Sequence, residues 1–186
     1  MDRERRYLKD TELRMDFSDS KPKLIGYASV FNSLSENLGG FRERILPGAF
    51  KKSLKQNDIR ALINHDNNLV LGRNKSGTLQ LKEDSKGLRF ELTPPNTSYA
   101  RDLAESVQRG DISGCSFAFT TDKDDYVKKD NETIRDVSQA TLLDISIVTY
   151  PAYADTEVSL RSFEQYKQAD DLKRRLKLME VWLNER

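Results

Sequence analysis

Residues Ile112–Thr121, ISGCSFAFTT, alternate in character: Cys115, Phe117 and Phe119 share one parity, and Ser116, Ala118 and Thr120 the other. Successive side chains of an extended chain point to opposite faces, so this stretch predicts a strand. Its aromatic face should be buried, and its other face is small and polar. A strand with one apolar face needs a sheet to join and a core to cover.

The flanking sequence supplies both. YVKKDNETIRDV predicts a hairpin turning at Lys129–Glu132. TLLDISIVTYPAY then reads as a strand ended by Pro151, with Leu142, Asp144, Ser146 and Val148 on one face and Leu143, Ile145 and Ile147 on the other. Upstream, Tyr99, Leu103 and Val107 recur every four residues between a polar N-cap segment, TPPNTS, and Gly110, which predicts a helix. GTLQLKEDSKGLRFEL is a hairpin turning at Asp84–Gly87, and DIRALINH a strand leading to His65. ILPGAFKKSLKQN predicts a short helix, NSLSENLGG a loop, and KLIGYASVF a strand with Leu24, Gly26, Ala28 and Val30 opposite Ile25, Tyr27 and Phe31. Strands joined mostly by hairpins, with two inserted helices, give an α+β domain built on an antiparallel sheet or barrel.

The ends differ from this middle. Residues 1–20 are charged and weakly patterned, either a ragged start or an outer strand; the domain proper is expected over 21–160. In residues 161–186, Leu172, Leu176, Met179 and Leu183 form one apolar seam on a basic amphipathic helix. That helical tail either docks on its own domain or engages a partner.

Composition excludes several classes. Lys and Arg (31) nearly balance Asp and Glu (30), and no basic stripe interleaved with aromatics appears, so nucleic acid is not an expected partner. No apolar run reaches the roughly 18 residues a spanning helix needs, and MDRERRYLKD lacks the apolar centre of a signal peptide. No membrane partner is expected. The single cysteine, Cys115, excludes an intrachain disulfide and fits a reducing, cytosolic compartment. His65-Asp66 has no second histidine or cysteine cluster to complete a zinc site, NHDNN lacks the closing glutamate of a calcium loop, and no phosphate loop occurs. Neither a metal nor a cofactor is expected.

Chemistry then rests on His65, Ser116 and Asp144, each in or beside a predicted strand. A serine hydroxyl needs an imidazole to take its proton during attack, and a carboxylate can fix the imidazole tautomer. His65 is the only histidine in the chain, the residue type whose unperturbed pKa lies nearest neutrality. Each has a plainer reading: a surface histidine, one serine among many, and a structural ion pair for the carboxylate inside LLDISIV. Cys115 is an alternative nucleophile, although alternation places it among the phenylalanines, where thiols are usually inert.

Taken in order, ERILPGAF, LINHDNNLVLGR, GLRFEL, ARDLAESVQRGDISGCSFAF and LLDISIVTYPAY resemble the prohead serine proteases of tailed bacteriophages, the HK97-type family, over approximately Leu24 to Leu160. That family resembles the herpesvirus assemblins. The resemblance implies a compact, mainly antiparallel β-barrel flanked by helices. It also implies an endopeptidase inside the immature procapsid in the host cytoplasm, acting on scaffold, on the scaffold-like segment of the major capsid protein, and on itself. Carried over by motif, His65 is the general base, Ser116 the nucleophile and Asp144 the third member. Assemblins use a second histidine there, which this chain lacks; Ser146 is a fallback orienter, and Arg73 a candidate oxyanion contributor. The non-enzymatic alternative is a capsid assembly protein with a vestigial site.

Overall fold

Two long strands organise the chain, β9 (Gly114–Lys129) and β10 (Glu132–Val148), which form one antiparallel ladder from Lys129↔Glu132 at the turn to Gly114↔Val148 at the far end. The computed structural model describes residues 3–8, 11–19, 21–130, 132–150 and 156–184. In chain order the elements before this pair are β1 (Glu4–Leu8), β2 (Arg14–Asp16), β3 (Lys23–Val30), β4 (Arg42–Ile45), α1 (Lys51–Gln56), β5 (Arg60–Ile63) and β6 (Asp66–Arg73). Then come β7 (Leu79–Glu83), β8 (Gly87–Leu92) and α2 (Ser98–Arg109); α3 (Thr156–Asn184) follows β10.

The protein is α+β, with about 47% of it in strands. One six-stranded sheet runs β1-β9-β10-β5-β6, and β4 also pairs with β10; a four-stranded sheet runs β2-β3-β8-β7. Most pairs are antiparallel, but β4 and β5 both lie parallel to β10, end to end along it. Among the described residues no ladder joins the two sheets into the closed barrel expected from the resemblance.

The core lies between the sheets. Cys115, Phe117, Phe119, Ile145 and Ile147 of the larger sheet face Leu24, Leu88, Phe90 and Leu92 of the smaller one, with Leu103 and Val107 of α2 closing the side. Phe50, Phe90 and Phe119 are fully enclosed, each such side chain contributing about 2–3 kcal/mol by leaving water. The expected phase of β10 is broken once. The register slips between Leu142 and Asp144, which face Phe119 and Ala118, so Leu143 is an extra residue in a β-bulge. Leu142 therefore joins Ile145 and Ile147 in the core instead of sharing a face with Asp144 and Ser146. A similar slip at Ala28 in β3 puts Phe31 in the core with Leu24 and Ala28.

Of the two readings of the charged start, the outer strand is what forms: β1 pairs with β9, and β2 with β3. Its charges are buried because they are matched. Arg6 Nε donates to Glu43 Oε1 at 2.8 Å and its Nη2 to Glu4 Oε2 at 2.7 Å, while Arg135 Nη1 reaches Glu4 Oε2 at 2.7 Å and Glu43 Oε2 at 2.9 Å. Such a network is tolerated inside a protein only when every charge keeps its partners.

Helix α3 packs by its first half. Phe163 is buried against Phe41 at a centroid distance of 4.9 Å, Tyr166 stacks on Tyr126 at 4.5 Å, and Lys128 pairs with Asp170 at 2.7 Å. Leu172, Leu176 and Met179 of the expected seam are exposed by 59%, 52% and 58%, so they do not pack on the domain. The Leu183 side chain lies outside the described residues.

Candidate active site

Asp144, Ser146 and Ser116 are set by the central ladder. Ser116 is the direct partner of Ser146, and Asp144 is opposite Ala118, on the face away from Phe117 and Phe119. The β-bulge at Leu143 turns the carboxylate to that face while keeping Leu142 in the core. Every residue here is buried: Ser116 and Ser146 are fully enclosed and Asp144 is 4% exposed.

His65 arrives from the other side of β10. Ile63 pairs with Asp66, leaving Asn64 and His65 as a two-residue hairpin loop between β5 and β6, with φ of 49° and 58°. Two successive positive φ values mark the I′ turn class, which matches the twist of the flanking strands, and Asn and His are among the non-glycine residues that accept this region best. The loop is clamped to β10. Asn64 N–H donates to the Ile147 carbonyl at 3.0 Å, its Oδ1 accepts from Thr149 N–H at 3.0 Å, and His65 N–H donates to Ser146 Oγ at 3.1 Å.

The imidazole so held spans the two strands. Nδ1 lies 2.6 Å from Asp144 Oδ1, and Nε2 lies 2.8 Å from Ser116 Oγ. An ionised carboxylate only accepts, so Nδ1 carries the ring proton and Nε2 presents its lone pair to the Ser116 hydroxyl. Asp144 has two further donors, Ser146 Oγ at 3.2 Å and Arg3 Nη2 at 2.5 Å. The arrangement can take a proton from Ser116 and hold the resulting imidazolium against a carboxylate. That is the requirement for nucleophilic acyl transfer.

A scan against family models places residues 9–169 in the family described as caudovirus prohead serine protease. The chain belongs to that family. Among curated proteins, the prohead protease of Enterobacteria phage HK97 is 36% identical over 148 residues, covering 77% of this chain and 61% of that protein. The chain thus spans about 61% of the length of the curated relative it matches. No solved structure matches.

In this prohead protease family member, the three residues singled out from sequence come together, and Ser146 touches both His65 and Asp144. Arg73 does not join them. Its guanidinium forms a paired contact with Asp58, Nε to Oδ1 at 2.7 Å and Nη2 to Oδ2 at 2.6 Å, at the opposite end of β6 from His65. Cys115 faces the core, and burial pushes its thiol up to about 12, so it stays protonated and is a poor nucleophile. Arg3 escaped the sequence reading because it lies in the charged start, where nothing in the local pattern assigns a partner 141 residues away. Among the described residues, no group of three acidic, histidine or cysteine side chains could hold a metal ion. Nor is any helix among them long and apolar enough to cross a membrane.

Proposed function

We propose that this chain is a serine endopeptidase of capsid maturation, with Ser116 as nucleophile, His65 as general base and Asp144 as the third member. The observation that carries the reading is the unbroken line of contacts from Asp144 Oδ1 through both nitrogens of His65 to Ser116 Oγ, at 2.6 and 2.8 Å. Membership in the prohead protease family supplies the context.

The reaction runs in two halves. Ser116 Oγ bonds to the scissile carbonyl carbon as its proton passes to His65 Nε2, and Asp144 balances the charge on the ring. The C–N bond then breaks, His65 returns the proton to the leaving amine, and an ester on Ser116 remains. Water adds to the ester with His65 again as base, the ester C–O bond breaks, and the Ser116 hydroxyl is restored. Ser146 is a positioning residue, holding both the His65 backbone and the Asp144 carboxylate. The substrate class is the scaffold, or the scaffold-like segment of the major capsid protein, inside the procapsid, and the chain itself.

Purified protein incubated with a scaffold-bearing capsid precursor tests this. Ser116→Ala should lower turnover by a factor of about 10⁴ or more while its thermal unfolding stays that of the wild type. Normal processing by a folded Ser116→Ala protein would overturn the assignment.

A further inference from the structure

An incoming peptide must bring a carbonyl carbon against Ser116 Oγ, yet Ser116 is fully enclosed, and the side chains of His65 and Asp144 are only 4% and 6% exposed. What encloses the nucleophile is traceable. Strand β1 runs antiparallel along β9 with Tyr7 directly opposite Ser116, and the Arg6 carbonyl accepts from Ser116 Oγ at 2.9 Å. A serine hydroxyl has one proton. The Arg6 carbonyl therefore competes for it with His65 Nε2, 2.8 Å from the same oxygen. Just before β1, Arg3 occupies the outer oxygen of Asp144 at 2.5 Å. The Tyr7 ring covers Gly114 so closely that a Cβ there would come within 2.5 Å of it.

We infer that β1 is a displaceable cover: it occupies the edge of β9 in place of substrate, and the enzyme works when an extended peptide takes that position. The inference rests on the reading of Ser116 as nucleophile. Adding a strand to a sheet edge is a common mode of peptide recognition, because the ladder supplies affinity without demanding one sequence. β1 suits the role of occupant. It is the edge strand of its sheet, five residues long, and it precedes the segment matched to the family, which begins at residue 9. A cleft of about 880 Å3, lined by Arg5 to Leu8 with Asn37 and Tyr150 among others, opens alongside it and gives the strand room to leave. Its anchor is the opposite face, where Glu4 and Arg6 enter the ion network with Glu43 and Arg135.

The test uses the full chain with Leu8→Cys. Leu8 lies opposite Cys115, so oxidative refolding can close a disulfide that fastens β1 to β9, and reduction releases it. Two probes are read in both states. A fluorophosphonate reports Ser116: an Oγ–P bond forms, the P–F bond breaks, fluoride leaves and the hydroxyl proton departs through His65. Diethyl pyrocarbonate reports access to the single histidine irrespective of catalysis: a ring nitrogen bonds to a carbonyl carbon, ethyl carbonate leaves to give ethanol and carbon dioxide, and the ring sheds one proton.

The reduced protein should react with both probes as the wild type does, and the oxidised protein at least tenfold more slowly. Equal rates in the two states would overturn the inference. So would a silent histidine in both, which would make β1 a permanent member of the sheet. A gated histidine with an unreactive serine in either state would leave the cover standing and remove Ser116 as nucleophile. Should the cross-link fail to close, Glu4→Ala reads the same point in the opposite sense: cutting the anchor should speed histidine modification several-fold, and an unchanged rate would refute the displaceable strand.

Discussion

Replacing Asn64 by alanine and, separately, by glycine tests how the fold delivers its imidazole. Asn64 sits at a φ of 49°, the first of two left-handed residues in the loop that ends in His65. A Cβ in that region crowds the following carbonyl oxygen at a cost of about 1 kcal/mol, which asparagine partly escapes and glycine escapes altogether. Both variants also lose the side-chain bonds to Thr149, at 3.0 and 3.3 Å, and for exposed groups these contribute together about 1 kcal/mol.

Alanine at 64 should therefore cost roughly 2 kcal/mol and glycine roughly 1, its larger unfolded-state entropy offsetting part of the relief. The diagnostic is the order. At ordinary negative φ alanine is the more stable of the two by roughly 0.4–1 kcal/mol; here glycine should win. Urea unfolding, with midpoint and slope compared among the three proteins, measures it. Because His65 follows directly at a φ of 58°, the alanine variant should also react more slowly with a fluorophosphonate than the glycine variant does. An alanine variant as stable as the glycine one would refute the claim that the left-handed turn sets the position of the base.

Further outcomes follow from the same contacts. Asp144→Asn should lower kcat/KM by about 10³–10⁴ without unfolding the protein, because an amide can turn its NH₂ toward Nδ1 and reverse the tautomer; peptide hydrolysis alongside circular dichroism checks it. Ser146→Ala leaves the His65 backbone N–H without its acceptor and should cost about 1–3 kcal/mol in urea unfolding, with a smaller loss of activity than Asp144→Asn. Glu4 supplies a pH signature. Burial alone would raise its pKa, but the Arg6 charge and the Arg135 contacts outweigh that and hold it below the ordinary value near 4.5. A carboxyl depressed in the folded state stabilises above its unfolded value, and that contribution is lost as pH falls through the folded one. Glu4→Gln should thus be less stable than wild type at pH 7, and the gap should shrink as pH drops below about 4.5, in unfolding curves taken at pH 7, 5, 4 and 3.

Much of this architecture is legible in local pattern. The alternation around Phe117 and Phe119, the hairpin at Asp84–Gly87, and the helix closed by Gly110 each have a period or punctuation that one kind of element satisfies. His65, Ser116 and Asp144 stand out because their chemistry is rare in those surroundings: a lone imidazole, a hydroxyl among small residues, a carboxylate in an apolar run. What escaped is non-local. Glu4 and Arg6 look like solvent-facing residues until Glu43 and Arg135 are placed beside them, so β1 has no signature of its own. The parallel seating of β4 and β5 on β10 depends on register between segments as far apart as 92 residues. The slip at Leu143 leaves no composition signal, because LLDISIV offers apolar residues on either parity. Leu8, Tyr7 and Arg6 become informative only once the ladder sets them against Cys115, Ser116 and Phe117.

That slip at Leu143 makes the strand far more sensitive to length than to identity. Exchanging Leu143 for another half-exposed residue trims one contact, since it faces no direct partner on β9. Deleting it would reverse the handed assignment of everything downstream: Asp144 and Ser146 would be driven among the phenylalanines, while Ile145 and Ile147 would emerge where the imidazole now reaches. A single lost codon would therefore turn this part of the molecule inside out, whereas many codon changes at the same position would pass almost unnoticed.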